Sequence, residues 1–206
     1  MPGLIEWNKM WERFNVSGPD TAVFERLIAA YSEPHRKYHT LQHLDECFAK
    51  LGELRTEASH PEEVEFALWF HDAIYDTKRQ DNEAKSAEWA RAVARAQSLP
   101  PDVAERIVRL IMVTRHDAEP QEPDEKVLVD VDLSILGAPP ERFAEYEAQV
   151  REEYAWVPGI VFRAKRREIL QRFLARPAIF NMPKFVEAYE VQARANLGRS
   201  LQCIGP

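Results

Sequence analysis

The residues with the most chemical potential begin with an adjacent pair, His71-Asp72, in the stretch Phe66-Ala-Leu-Trp-Phe-His-Asp-Ala-Ile-Tyr-Asp76. An imidazole offers a neutral nitrogen and a carboxylate offers charged oxygen, a combination that suits a borderline divalent ion. Neighbouring helical positions lie about 100° apart, so both side chains can lean on one ion near a helix end. A His-Asp dipeptide is common by chance, so other residues must complete the shell. The segment from His35 to His43 places His39 and His43 four apart, one helical turn from each other. Downstream, Val127-Leu-Val-Asp-Val-Asp-Leu-Ser-Ile-Leu-Gly137 is strongly apolar yet carries Asp130 and Asp132. A carboxylate buried in such a run is costly unless it is paired or bound to a metal. On a short helix the two aspartates point about 160° apart, so one is expected to be a ligand and the other to cap or pair.

The elements that must position these groups read as helices. Leu4, Trp7, Met10, Trp11 and Phe14 recur at helical spacing, and Ser17-Gly-Pro-Asp20 breaks that helix. Asp20 or Thr21 can cap a helix over 21–31, and Thr40 can cap the helix that carries His43. Along that helix His43, Cys47, Lys50 and Leu51 share a face. Pro61 and the acidic residues after it open the helix that aims His71 inward along the face of Val64, Leu68 and Tyr75. A helix from Asn82 to about Gln97 has Glu83 in its first turn, where it either complements the helix dipole or stands at the mouth of a metal site. Residues 102–114 form the next helix, with His116 at its end as a ligand, a substrate contact or a dipole partner. Residues 119–125 read as an acidic loop. Further helices are expected over 141–154, 162–175 and 184–197. The cluster from Arg163 to Arg167 reads as solvated surface or as an approach for phosphate. There is no internal repeat or linker, so one compact all-helical domain over 1–206 is expected.

Composition narrows the function. The 206 residues are 45% hydrophobic and 30% charged, as in ordinary globular chains. A net charge of -7 argues against a nucleic-acid polymer or an anionic membrane as partner. The longest apolar runs, 27–31 and 66–70, are far too short to span a bilayer. No basic-then-apolar leader is visible, and two cysteines are too few for a disulfide scaffold or a thiolate zinc site. A reducing cytoplasm is the expected location.

Taken in order, His43, His71-Asp72 and Asp130 or Asp132 resemble the pattern of the HD-domain superfamily, metal-dependent phosphohydrolases on an all-α bundle. The similarity covers roughly residues 36–174. Tyr38-His-Thr-Leu-Gln-His43 is also similar to the Tyr-His-Asn-x-x-His motif of the cyclic-nucleotide phosphodiesterases, with Thr40 in place of the Asn. Val131-Asp-Leu-Ser134 is similar to the Ala-Asp-Leu-Ser that ends their site, which selects Asp132. The resemblance implies an HD-type helical bundle in which His43, His71, Asp72 and Asp132 hold a divalent ion (Mn, Fe, Mg, Co, Ni or Zn). It implies His39 as the general acid; Glu83, close after the pair, is the other candidate for proton transfer, and Arg36 and Lys37, just before the first ligand, or Arg115 are candidates to hold a phosphate. A two-metal site usually adds two histidines between the pair and the last aspartate. This chain has only His116 there, which favours one ion. The expected partner is a small phosphorylated substrate such as a nucleotide, and a homodimer is compatible with this. A di-iron oxygenase on a related scaffold and a non-catalytic nucleotide sensor are the alternatives.

Overall fold

The structure, a computed structural model, describes residues 3–204. It bears out the all-helical expectation: among the described residues there are ten α-helices, two short 3-10 turns and no strand. The helices are α1 (Leu4–Arg13), α2 (Thr21–Tyr31), α3 (Leu41–Leu54), α4 (Pro61–Phe70), α5 (Asn82–Ala96), α6 (Pro101–Val113), α7 (Pro123–Asp132), α8 (Pro140–Glu153), α9 (Gly159–Ala175) and α10 (Pro183–Ile204). None is long and apolar enough to cross a membrane.

The chain divides into two compact units, residues 1–131 and 132–206. In the first, α4 is the central element and packs against α1, α3, α5 and α6. Every residue from Glu63 to Phe70 is buried, so this helix shows no single apolar stripe. Its aromatic residues mesh with α1: Trp7 meets Trp69 edge-on at 5.4 Å, and Trp11 meets Phe66 at 5.2 Å. The two buried glutamates of α4 are neutralised in place, Glu63 by Arg106 and Glu65 by Arg13 and Arg55. The caps read from the sequence are present. The Asp20 carboxylate accepts the Ala22 N–H at 2.9 Å, and the Thr40 hydroxyl accepts the Gln42 N–H at 3.3 Å.

Several boundaries differ from expectation: α4 ends at Phe70 and does not reach Tyr75, and α9 begins at Gly159 and not at 162. The acidic stretch expected as a loop over 119–125 is cut short by α7, which starts at Pro123, a residue suited to the first turn. Asp124 accepts the N–H groups of Ser59 and His60 and the His60 ring at 2.6, 3.2 and 2.9 Å, which anchors this helix start to the start of α4. The last helix continues beyond Leu197 to Ile204.

In the second unit, the 3-10 turn Leu133–Gly137 lies on α10. The backbone approach there is close enough that a Cβ on Gly137 would come 2.6 Å from Tyr189 Cβ. Asn196, wholly buried, donates to the Leu136 and Ala138 carbonyls at 2.8 and 2.9 Å. The basic cluster of α9 is not a uniform charged face. Arg166 is buried and bound to Glu147 and Tyr146, while Lys165 pairs with Glu168 at the surface.

Candidate metal centre

His43 sits in the first turn of α3, just after the Thr40 cap, and is 2% exposed. His71 follows directly on α4 and is 1% exposed. Its Nδ1 donates to the Leu68 carbonyl at 2.8 Å. That bond places the ring hydrogen on Nδ1 and leaves Nε2 with a lone pair when the imidazole is neutral. This Nε2 faces His43 Nε2 at 3.2 Å and Asp72 Oδ2 at 3.1 Å, and His43 Nε2 lies 3.5 Å from the same carboxylate oxygen. Ligands around one ion with bonds of about 2.0–2.2 Å lie roughly 2.9–3.6 Å apart in octahedral to tetrahedral arrangements. The three observed separations fall in that range. Two imidazole nitrogens and a carboxylate facing one another need a proton or a cation among them.

His43, Cys47, His71 and Asp132 form a cluster that could hold a metal ion, with one ligand atom from each within 4.8 Å of the others. Asp132 is the last residue of α7, whose preceding turns belong to the first unit, so it is covalently carried by that unit's own helix. It is half-exposed, whereas Asp130 is fully buried within α7. The helical spacing of the two aspartates thus brings Asp132 to the cluster and turns Asp130 elsewhere, as expected of adjacent-but-one positions.

Cys47 was not expected as part of this group. It is carried there by its position one turn after His43, and that i,i+4 relation was the signal for it in the sequence. Its sulfur is 3.7 Å from both Nδ1 and Nε2 of His43. A sulfur equidistant from the two ring nitrogens lies off the Nε2 lone-pair axis. Cys47 therefore packs against the imidazole, and the closest approaches are those among His43 Nε2, His71 Nε2 and Asp72 Oδ2.

Burial alone pushes the Asp72 carboxyl up. The charges of His71 and His39, with hydrogen bonds from His43 and His71, more than reverse this and hold it well below the usual carboxylate range. Asp72 is therefore an anion at neutral pH, as a metal ligand must be.

Arg36 corrects an expectation. Its side chain is fully buried, and its guanidinium donates to Glu33 Oε2 and to the carbonyls of His39, Asp72 and Ala73 at 3.0, 3.2, 2.6 and 3.1 Å. It clamps the loop before α3 to the turn after α4 and does not present itself to a phosphate. The sequence offered no sign of this, since two of the three carbonyls it binds lie 36 and 37 residues away.

The other candidates are distributed as follows. His39 is half-buried beside the cluster, its ring 5.8 Å from that of His43 and stacked on Tyr75 at 4.2 Å. Glu83 stands in the first turn of α5, one turn before Ser86. The Ser86 hydroxyl accepts the Ile74 N–H at 3.0 Å, which places this helix start against the turn that follows Asp72. Lys37 is half-buried next to Arg36. Arg115 is exposed and pairs with Asp117 at 3.2 Å. His116 has a left-handed backbone (φ 55°), its N–H closes the end of α6 on the Val113 carbonyl, and it lies outside the four-residue cluster.

Comparison with family models, with curated proteins and with solved structures finds no match.

Proposed function

We propose that this protein is a metal-dependent phosphohydrolase that cleaves a phosphate ester of a small molecule, with nucleotides as the favoured class. The observation that carries the reading is the convergence of His43 Nε2, His71 Nε2 and Asp72 Oδ2 within 3.1–3.5 Å, with Asp132 within 4.8 Å of the two histidines. The order of these residues along the chain supports it by resemblance to the HD-domain phosphohydrolases. The nucleotide preference rests on that analogy alone.

His43, His71, Asp72 and Asp132 would hold one divalent ion. Such an ion supplies, when bound, a water of lowered pKa and positive charge against the phosphate. The remaining roles belong to the chain. His39, fixed by its stack on Tyr75, donates a proton from its imidazolium to the departing alkoxide. Glu83, in the first turn of the helix whose Ser86 accepts the Ile74 N–H, would orient the attacking water and accept its proton. Lys37 contributes charge toward the phosphate, while Arg36 holds the backbone on which His39 and Asp72 sit.

The test is metal analysis of the purified protein together with phosphate release from a panel of nucleotides and phosphomonoesters. Stripped and reloaded protein and Asp72→Ala are compared. Metal-dependent release that falls at least 100-fold in Asp72→Ala is expected. A protein that takes up no divalent ion would end the reading. Metal uptake without phosphate release from any compound would favour the nucleotide sensor or, with an oxygen-sensitive two-iron signal, the oxygenase.

A further inference from the structure

Tyr31 closes α2 immediately before the loop that carries Arg36 and His39. We propose that its hydroxyl is a substrate contact, donating a hydrogen bond to an anionic phosphoryl oxygen beside His71 and Asp72. This rests on the phosphohydrolase reading above and names a residue which that reading did not use.

Three observations carry it. Tyr31 is 1% exposed, and its hydroxyl is buried without a hydrogen-bond partner. A buried phenol in that state is destabilising unless a ligand completes it. The ring lies under the Arg36 guanidinium at 5.3 Å, and the same guanidinium reaches the Asp72 carbonyl at 2.6 Å, so one cation separates Tyr31 from the His71-Asp72 turn. The phenol also feels the charges of the centre itself. Burial, the largest influence, pushes it up to about 12, with His71, Arg36 and His43 opposing and Asp72 adding to the rise. It therefore keeps its proton at physiological pH and acts as a donor, never as a base.

The buried indole N–H groups packed between α1 and α4 differ in kind. Trp7, Trp11 and Trp69 have buried indole N–H groups, but these rings meet edge-on, and an aromatic face can receive such an N–H. Tyr31 instead has a cation over its ring and carboxylate and imidazole charges nearby. A phosphoryl oxyanion drawn to the bound divalent ion would supply the acceptor that the hydroxyl lacks.

Tyr31→Phe removes one oxygen and keeps the ring. The full-length protein, loaded with the divalent ion it retains, is titrated with inorganic phosphate by calorimetry, wild type beside variant. The expected result is unchanged metal content, phosphate binding weakened about tenfold or more, and a metal-free melting temperature equal to or above that of the wild type. Equal phosphate affinity in a metal-loaded variant would overturn the proposal. A lower metal-free melting temperature would also overturn it, because the hydroxyl would then have a partner within the fold. Failure of the wild type to take up any divalent ion would instead sink the underlying reading, and the proposal with it.

Discussion

At the scale of single residues, the centre depends on which atom of each side chain is presented. The bond from His71 Nδ1 to the Leu68 carbonyl decides that Nε2 faces inward, and Arg36 decides where the backbone of Asp72 lies. Arg36 gives a direct way to separate two roles. If it clamps the loop and turn, Arg36→Lys loses most of its four hydrogen bonds and weakens metal affinity about 10–100-fold, as other changes behind metal ligands do. A competitive chelator titration measures this. A variant with normal metal affinity but impaired phosphate affinity would return Arg36 to the substrate role that its place in the sequence suggests.

At the scale of elements, each candidate ligand is carried at or next to the end of a helix. His43 is in the first turn of α3, His71 caps α4 and Asp132 ends α7. Helix ends are where a short backbone shift re-aims a side chain, so their anchors matter. Asp124 fastens the start of α7 to the start of α4 with bonds to two backbone N–H groups and the His60 ring. Replacing it with Ala leaves those donors unsatisfied, and the cost is expected to be about 1–2 kcal/mol. Calorimetry should show a melting temperature lowered by roughly 2–8 °C. A change below one degree would show that the helix starts are held by packing alone.

At the scale of the whole molecule, binding and protonation oppose each other. A divalent ion that binds only the folded chain stabilises it by about 2.7 kcal/mol at a hundredfold excess over Kd, or roughly 5–10 °C in melting temperature. The imidazoles must be neutral to bind, so this gain fades as pH falls. In metal-free protein the Asp72 carboxyl titrates below its ordinary value. Its contribution to stability is therefore complete above about pH 4 and is lost as pH drops through the folded value. Acid unfolding followed by circular dichroism should show a flatter acid limb in Asp72→Asn. An unchanged limb would mean that the carboxylate gains nothing from its histidine neighbours. Exchange protection on metal addition is expected to concentrate on α3, α4 and the end of α7, because those elements carry the candidate ligands.

The sequence by itself determined the helical class, most helix starts and the four polar positions that stand out against apolar surroundings. These follow from local rules, the 3.6-residue period and the chemistry of caps, which act within a turn or two of chain. The α7 start at Pro123 escaped because acidic residues suit both a loop and the first turn of a helix. What only the tertiary structure decided was convergence: that His43 and His71, 28 residues apart, bring their Nε2 atoms to 3.2 Å, and that Cys47 lies against His43. It also decided that Arg36 binds carbonyls and that the Tyr31 hydroxyl is buried among the charges of the centre. Those outcomes depend on how α2, α3, α4 and α7 pack, and the contacts between distant segments that set this leave no period and no motif in the chain.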